Sequence, residues 1–406
     1  MAWILLRFDR LAAFETRKGN HAMLHQNSVF HSVLKLLPWD KLDGIIAKYG
    51  ADELSRELTT KRQLIALLYG QLSGCASLRE IIIGMESHAR RLYHVGAAPV
   101  KRSTMSDANR DRPWQVFSEL FTQMLPQAHR GLRRHIGQAV RLIDSTSLRL
   151  SSFSADWATF STSVYGAKAH IVYDPNADRP IYFAVTPANV NDITAAQVMP
   201  IEPGATYVYD LGYYEYRWWA AIDNAGSRFV TRLKKNTPFT VIRANRVRKR
   251  GNIVSDRIGR LPERLAARRK NPLEVPVREV RVIIETGKIL RIVTNDLDAP
   301  AQEIADLYKQ RWQIELFFRW VKQTLRIKRF IGVSENAVRI QIAVALIAFL
   351  LLRMAQALQK VVHSPLEFTR LVRTNLMHRR PLDRLLKPPQ PIEINPNQLK
   401  LELYFP

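Results

Sequence analysis

The spacing of apolar residues changes near residue 139, and this change divides the chain into two parts. Between about 25 and 135 the apolar positions follow a helical period. Residues 59–74 begin with a threonine N-cap and end at Gly74, and Ser77 begins another helix with a glutamate three residues on. A further helix starts at the basic sequence KRST, residues 101–104. Short basic helices of this kind are typical of a helix-turn-helix DNA-binding module, and plain helical packing explains them equally well.

Beyond residue 139 the apolar positions follow the two-residue period of β-strands. Three strand segments follow one another directly, and two more are each preceded by a helix. The resulting order, β-β-β-α-β-α-β, predicts an α/β fold with a mixed sheet and helices on its faces. The predicted strands are AVRLIDSTSLRLS (139–151), SVYGAKAHIVYD (163–174), RPIYFAVTPA (179–188), TYVYD (206–210) and RFVTRLK (228–234), and the predicted helices are 191–199 and 212–226.

Residues 236–292 interrupt this order with a strongly basic segment. From Val241 to Lys270 there are eleven Lys or Arg residues against two acids, and residues 277–295 then predict two strands joined at Thr286–Gly287. We interpret the segment as a β-rich insertion. The predicted division of the chain is 1–24, a leader of doubtful origin with Met23 as a candidate second start codon; 25–135, a helical N-terminal DNA-binding domain; 136–235, the first part of the core; 236–292, the insertion; 293–360, core helices over 301–326 and 336–358; and 361–406, a Pro-rich tail.

Charge and cysteine content narrow the class of partner. The 406 residues carry a net charge of +25, from 61 basic and 36 acidic side chains, which favours a polyanion and above all nucleic acid. The alternative is a basic protein without such a partner. A single cysteine, Cys75, excludes an internal disulfide and makes a reducing compartment the default. The N-terminus lacks signal-peptide features, and the longest apolar run, Ile342–Leu352, is too short to cross ~30 Å of hydrocarbon, so we predict a cytoplasmic protein without a membrane partner and a buried core helix.

Two aspartates stand where the predicted strands would bring them together. Asp144 lies inside the first strand among apolar residues, and Asp210 ends the fourth strand. Ligands of open α/β sheets gather at the carboxyl ends of strands, so the two acids face each other if these strands are neighbours. Two carboxylates repel each other unless they share a proton or a cation. Oxygen ligands suit Mg²⁺ or Mn²⁺.

A third acid lies in the sequence YKQRWQIELFFRWVKQTL, residues 308–325, which we predict to be part of one helix. Tyr308, Arg311, Glu315 and Lys322 are spaced by three, four and seven residues and therefore share one face. The helix is apolar nearly all round and should be buried, so this polar face must contact something polar. A two-metal phosphate site meets that requirement, with Glu315 as the third metal ligand. The alternative is an exposed polar face with an ordinary Arg311–Glu315 ion pair.

The same four residues match Y-(2)-R-(3)-E-(6)-K, and with them the chain resembles the IS4-type DDE transposases of bacterial insertion sequences. The resemblance extends to AVRLIDSTSL, to YVYDLGYYEY, to the block RWQIELFFRWVKQTLRIKRFIGVSENAVRIQIAVALIA and to the N-terminal helices, about residues 25–404 in all. It implies an RNase H-like core that acts as a homodimer on double-stranded DNA, at the transposon ends and at the target. Carried onto this chain, it implies a DDE triad binding two Mg²⁺ ions (Asp144, Asp210, Glu315) and phosphate contacts (Tyr308, Arg311, Lys322).

The resemblance implies a bacterial enzyme at the nucleoid that nicks DNA and joins the freed 3′-OH to a target. Two alternatives remain open: a nuclease of the same fold that cuts without strand transfer, and a decayed transposase that only occupies the terminal repeats. Beside an active site, the basic segment around residues 246–250 is more consistent with phosphate contacts than with a solvated face. We therefore expect Arg246, Arg248, Lys249 and Arg250 to contact phosphates.

Other polar and aromatic residues have weaker signals. Lys168 and His170 share a face of the second strand and could contact phosphate or metal, but a structural role is favoured for His170. We expect Asn191 or Asp192 to cap a helix, and Ser145 and Thr146 to form hydrogen bonds behind the site. Trp218 and Trp219 are expected to pack in the core.

Overall fold

A computed structural model describes residues 27–130, 139–161, 164–248, 251–263, 270–324, 330–358, 364–382 and 385. The predicted leader lies outside these residues, as do 361–363, 383–384 and 386–406 of the predicted tail. The N-terminal part is helical, as predicted. Its helices are α1 Val29–Leu34, α2 Trp39–Lys48, α3 Thr60–Ser73, α4 Leu78–Ser87, α5 Ala89–Leu92, α6 Arg102–Asp111 and α7 Gln115–Arg130.

The predicted helix boundaries in this part have local causes. The Thr59 side chain accepts a hydrogen bond from the backbone N–H of Arg62 at 3.3 Å, which caps α3, and Gly74 ends α3 in the left-handed region at φ 81°. Ser77 caps α4 by accepting from the N–H of Glu80 at 3.2 Å. Both predicted caps are confirmed.

The strands form one mixed sheet of ten strands. β1 pairs antiparallel with β3 and parallel with β5, β5 pairs parallel with β6, and β4 lies on the outer side of β3. This is the predicted order of a three-stranded meander followed by two helix-linked parallel strands, and the RNase H-like α/β fold is confirmed. The elements are β1 Val140–Arg149, β2 Thr159–Ser161, β3 Val164–Asp174, β4 Arg179–Pro187, α8 Asp192–Ala196, β5 Thr206–Val208, α9 Tyr216–Asn224 and β6 Arg228–Arg232.

The β-rich insertion continues the same sheet rather than forming a separate one. Its last strand, β10 Ile289–Thr294, pairs antiparallel with β6, and β9 Val277–Ile283 follows through the predicted turn at Gly287. β8 Ile253–Arg260 and β7 Thr240–Asn245 complete the edge. These last two strands escaped prediction because basic residues interrupt their alternation.

Alternating side chains give the sheet two different cores. One face, here the α12 face, packs against α7 and against two C-terminal helices, α11 (Trp312–Thr324) and α12 (Glu335–Ala357). The other, the α9 face, packs against the aromatic residues around α9. Trp218 and Trp219 are buried on the α9 face, which confirms their predicted core role. The α12 face includes Leu142, Ile171, Val208 and Val230, and the α9 face includes Ile143, Val172, Tyr207 and Phe229.

The C-terminal helices differ from prediction at one position. The single helix predicted over 301–326 is wrong, since the chain forms α10 Ala301–Gln310 and α11 Trp312–Thr324 with a break at Arg311. The N–H groups of Arg311 and Ile314 each bond a carbonyl three residues back, both at 3.2 Å, which makes a tight 3₁₀ turn.

The long helix α12, Glu335–Ala357, agrees with the predicted 336–358, and α13 Pro365–Asn375 follows it. By length and composition α12 could cross a membrane, but 83% of its most apolar 18-residue stretch is buried inside the protein, as expected for the predicted core helix. The side-chain amide of Asn336 donates to the carbonyls of Asn109 at 3.0 Å and Arg112 at 2.7 Å. These bonds fasten the N-terminal helices to α12.

Two helical glycines make a matched test of this packing. A Cβ at Gly70 in α3 would lie 2.4 Å from Cδ1 and 2.6 Å from Cγ1 of the buried Ile81, whereas a Cβ at Gly44 in α2 meets nothing within 4 Å. We expect Gly44→Ala to raise the free energy of unfolding by about 0.5–1 kcal/mol through helix propensity. Gly70→Ala should lower it, because an overpacking cost of about 1–3 kcal/mol outweighs the same gain. Urea unfolding measures both; equal shifts of the same sign would contradict the packing of α3 on α4.

Candidate active site

The parallel pair β1 and β5 brings two of the predicted acids to one edge of the sheet. Asp144 lies in β1 on the α12 face, with its side chain 18% exposed. Asp210 follows the end of β5 by two residues and begins a short 3₁₀ turn, Leu211–Tyr213, where its carboxylate accepts from the N–H of Gly212 at 2.8 Å. β1 and β5 are neighbours, which is the condition under which the sequence analysis expected the two acids to face each other.

Arg311 connects the third acid to the first. Glu315 lies in the first turn of α11, and its Oε1 is 2.6 Å from Nη2 of Arg311. Nη1 of the same guanidinium lies 3.7 Å from Oδ2 of Asp144. The break between α10 and α11 therefore places one arginine between two carboxylates that belong to different elements.

The electrostatics of Asp144 show how close the three acids are. The pKa of the Asp144 carboxyl is raised to about 6, mainly by burial and also by the neighbouring Asp210 and Glu315 carboxylates, while the N–H of Ser145 at 2.8 Å and the Arg311 guanidinium oppose the shift. Neighbouring like charges disfavour each other's ionisation. Burial and the two other acids therefore both disfavour the charged form of Asp144.

The donor set of the site suits a hard divalent cation. All three acids offer carboxylate oxygens, the ligands that Mg²⁺ and Mn²⁺ prefer. Among the residues that the structure describes, no three acidic, histidine or cysteine side chains stand close enough to hold one ion. The Arg311 guanidinium lies between Asp144 and Glu315. The residue types of the three acids fit the chemistry of the predicted metal.

The other two residues of the polar face lie on either side of this group. Tyr308 is buried with its ring 5.9 Å from the guanidinium carbon of Arg311. Burial raises the pKa of the Tyr308 hydroxyl, with Asp210 adding to the shift and Arg311 opposing it. Lys322 lines a narrow cavity with Thr146, two residues beyond Asp144. Of the predicted polar face, Arg311 thus contacts Asp144 and Glu315, although the helix carrying the face is broken.

The basic residues of the insertion lie elsewhere. Arg246 and Arg248 are exposed in the segment that follows β7, and Lys249 and Arg250 lie outside the described residues. β7 is the last strand of the sheet, beyond β6, β10, β9 and β8 as counted from β5. The structure therefore does not bring these arginines to the acids.

A second polar group, on the α9 face behind Asp144, went largely unrecognised in the sequence. The prediction of helix capping by Asn191 or Asp192 is wrong: Asn191 occupies the N-cap of α8 without a side-chain capping bond. The Asp192 carboxylate instead accepts from the hydroxyl of Ser145 at 2.9 Å and pairs with Nζ of Lys168 at 3.1 Å. Alternation along β3 predicted that Lys168 shares a face with His170. That Asp192 contacts this pair of residues and Ser145 could be seen only in the folded structure.

His170 is a fully buried structural histidine within this group. Its Nε2 lies 2.8 Å from the hydroxyl of Thr186, and its Nδ1 lies 3.9 Å from the Asp192 carboxylate. Burial lowers the pKa of His170 from 6.5 to about 4, with Asp192 opposing the shift and Lys168 adding to it. The imidazole is therefore neutral at pH 7.

Comparison with known proteins gives one family for most of the chain. The family described as "Transposase DDE domain" matches residues 135–351, and a "Domain of unknown function" matches residues 25–98. A putative transposase, y4zB, of Sinorhizobium fredii is 41% identical over 293 residues, which cover 72% of this chain and 81% of the relative. A probable transposase of insertion sequence element IS5377 from Geobacillus stearothermophilus is 29% identical, over 69% of this chain and 74% of the relative.

Two further proteins match over a smaller share of the chain or at lower sequence identity. The transposase InsG of insertion sequence element IS4 from Escherichia coli is 29% identical over 175 residues, 39% of this chain and 38% of the relative. Among solved structures, the piggyBac transposase synaptic complex with hairpin DNA aligns at 13% identity and a TM-score of 0.41, over 93% of this chain and 86% of that one.

The buried histidine predicts a specific sensitivity to acid. Because the folded pKa of His170 is lowered, the unfolded chain binds the proton more readily, and stability falls as the pH drops below 6.5. Between pH 7 and pH 5 this costs about 2 kcal/mol of unfolding free energy. His170→Gln keeps a partner for Thr186 without titrating and should escape that part of the loss. Urea unfolding of both proteins at the two pH values measures the difference, and equal losses would contradict the buried neutral imidazole.

Proposed function

The chain belongs to the DDE transposase family, and from that premise we propose that it is a cut-and-paste transposase of a bacterial insertion sequence. In this proposal a homodimer binds the terminal inverted repeats of the element and the target DNA, in the cytoplasm at the nucleoid. The observation that carries the proposal is that Asp144 and Glu315 converge on the Arg311 guanidinium, with Asp210 close enough to add to the burial that raises the pKa of Asp144.

Each residue of the site has a role in the proposed reaction. Asp144, Asp210 and Glu315 would hold two Mg²⁺ ions, or Mn²⁺ in their place, which when bound stabilise negative charge on the phosphate and lower the pKa of water. Water displaces the 3′ ester oxygen of the phosphodiester and frees a 3′-OH. This 3′-OH then attacks a target phosphodiester, forms the new ester bond and releases a 3′-OH of the target strand. Arg311 exchanges its carboxylate partners for a phosphate, for which its planar guanidinium is suited.

Phosphate contacts beyond the acids follow from position and charge. Lys322 lines a cavity with Thr146, which lies two residues along β1 from Asp144, and in this proposal Lys322 binds the next phosphate, while Tyr308 packs beside Arg311 and holds its guanidinium. The exposed segment 246–248, continuing into 249–250, and the basic N-terminal helices extend the DNA contact. The charge of +25 supports this assignment.

The decisive test compares Glu315→Gln with the wild type on a labelled duplex that carries the terminal repeats of the element. With Mg²⁺, the wild type should cut at the repeat boundary and join the freed end to a target. Glu315→Gln should retain less than about 1% of cleavage, because loss of a metal ligand exceeds the roughly 100-fold effect of a group behind a ligand. Binding to the duplex in EDTA should be retained.

Glu335→Gln is the matched control, because Glu335 makes the same kind of i,i+4 pair, with Arg339, at the start of α12. It should cut like the wild type. Cutting without joining would indicate a nuclease of the same fold. Binding without cutting by the wild type would indicate a protein that only occupies the repeats, and either result would overturn the proposed strand transfer.

Neutral substitutions test the phosphate contacts separately. Arg311→Gln and Lys322→Gln should each weaken binding of the terminal duplex and reduce the slope of log affinity against log salt by about 0.9, the value for one phosphate contact. Lys309→Gln is the control, since Lys309 is 80% exposed on the same pair of helices and lies near Glu285. Filter binding from 50 to 200 mM salt measures the slopes. Unchanged slopes for both site variants would remove these residues from the DNA interface.

A further inference from the structure

The strand that carries Asp144 is bonded on its opposite face to a second polar group. Successive side chains of β1 point to opposite faces, so Ser145 lies on the α9 face directly behind Asp144. The register pairs Ser145 with His170 and the nearby Ser147 with Lys168. These side chains form one polar layer between β1 and β3, inside an otherwise apolar face.

Asp192 joins this layer from a different element. Its Oδ1 accepts from the Ser145 hydroxyl at 2.9 Å and lies 3.1 Å from Nζ of Lys168. Lys168 also donates to the carbonyl of Val190 at 2.9 Å, which ties the segment before α8 to β3. Lys168 balances the charge of Asp192, and the carboxylate makes no cap for its own helix. Helix capping therefore does not account for an acid at this position.

Ser145 connects Asp192 on one face of the sheet to Asp144 on the other. Its hydroxyl donates to Asp192, while its backbone N–H donates to Oδ1 of Asp144 at 2.8 Å. The two bonds fix the peptide and the side chain of Ser145 at once. They thereby link the Asp144 carboxylate to Asp192 through one residue.

The same carboxylate borders the second acid. A Cβ built on Gly212 would lie 3.0 Å from Oδ1 of Asp210 and 3.1 Å from Oδ2 of Asp192, so both oxygens crowd one point. Gly212 also donates its N–H to Asp210. Asp192 thus lies next to Ser145, which bonds to Asp144, and next to Gly212, which bonds to Asp210.

We propose that Asp192 is a positioning residue that, through Ser145, sets the orientation of the Asp144 carboxylate for divalent-metal binding. The inference rests on the proposed function, in which Asp144 is a metal ligand. Hydrogen-bond partners behind metal ligands typically change metal affinity or activity by about 10–100-fold.

Binding of Mn²⁺ to the purified full-length chain, followed by the EPR signal of free Mn²⁺, tests the proposal without relying on activity. Asp192→Ala and Ser145→Ala should each raise the Mn²⁺ dissociation constant by about 10–100-fold. The metal concentration for half-maximal cleavage should move by the same factor, with DNA affinity in EDTA unchanged. Asp192→Asn keeps an acceptor for the Ser145 hydroxyl and should bind Mn²⁺ close to the wild type, which also guards against a misfolded alanine variant.

Glu202→Gln is the matched control, because Glu202 pairs with Arg141 at the other end of the same strand, 2.8 Å away. It should leave Mn²⁺ affinity unchanged. Positioning through Ser145 would be overturned if Asp192→Ala bound Mn²⁺ as tightly as the wild type, or if Asp192→Asn bound it as weakly as Asp192→Ala. Cleavage by the wild type would in that case leave the proposed function standing. If the wild type neither bound Mn²⁺ nor cut DNA, the proposed function itself would fail.

Discussion

Mutual repulsion of three carboxylates at the edge of a buried sheet is the constraint on which the rest of the site depends. Asp144 is mostly buried, and Asp210 and Glu315 both oppose its ionisation. A chain gains nothing in stability from such an arrangement, because buried like charges are costly. Arg311 offsets part of that cost by lying between Asp144 and Glu315. A divalent cation, which the proposed reaction requires, would offset the rest.

The fold supplies the rigidity that holds these acids together. β1 and β5 are parallel neighbours, and the apolar side chains on their two faces pack into two separate cores. The buried helix α12 lies under the face that carries Asp144, and α11 brings Glu315 to that face. Behind the strand, Ser145 and Asp192 add hydrogen bonds where an ordinary sheet would have only apolar contacts. Asp144 and Glu315 thus lie on one face of the sheet, and the proposed positioning residue lies on the other.

Much of this architecture could be predicted from the sequence, because it rests on local pattern. Alternation identified the five strands of the core, the caps Thr59 and Ser77 fixed helix starts, and the spacing from Tyr308 to Lys322 identified the polar face. What could not be predicted depends on tertiary contacts. The break at Arg311 is a tight turn within a sequence whose helical pattern is uninterrupted. Asp192 has the sequence context of a helix cap, and only the folded chain brings it to Ser145 on β1 and Lys168 on β3. β7 and β8 were hidden by their basic residues.

The most direct measurement of the central claim is the thermal unfolding midpoint of the wild type and of Asp144→Asn, each with and without Mn²⁺ at pH 8. If the three acids are held together for a metal, Asp144→Asn unfolds at a higher temperature than the wild type without metal, because it removes a buried repelling charge. Mn²⁺ then raises the midpoint of the wild type and leaves that of Asp144→Asn nearly unchanged. A less stable Asp144→Asn variant, together with a wild type indifferent to Mn²⁺, would contradict the account.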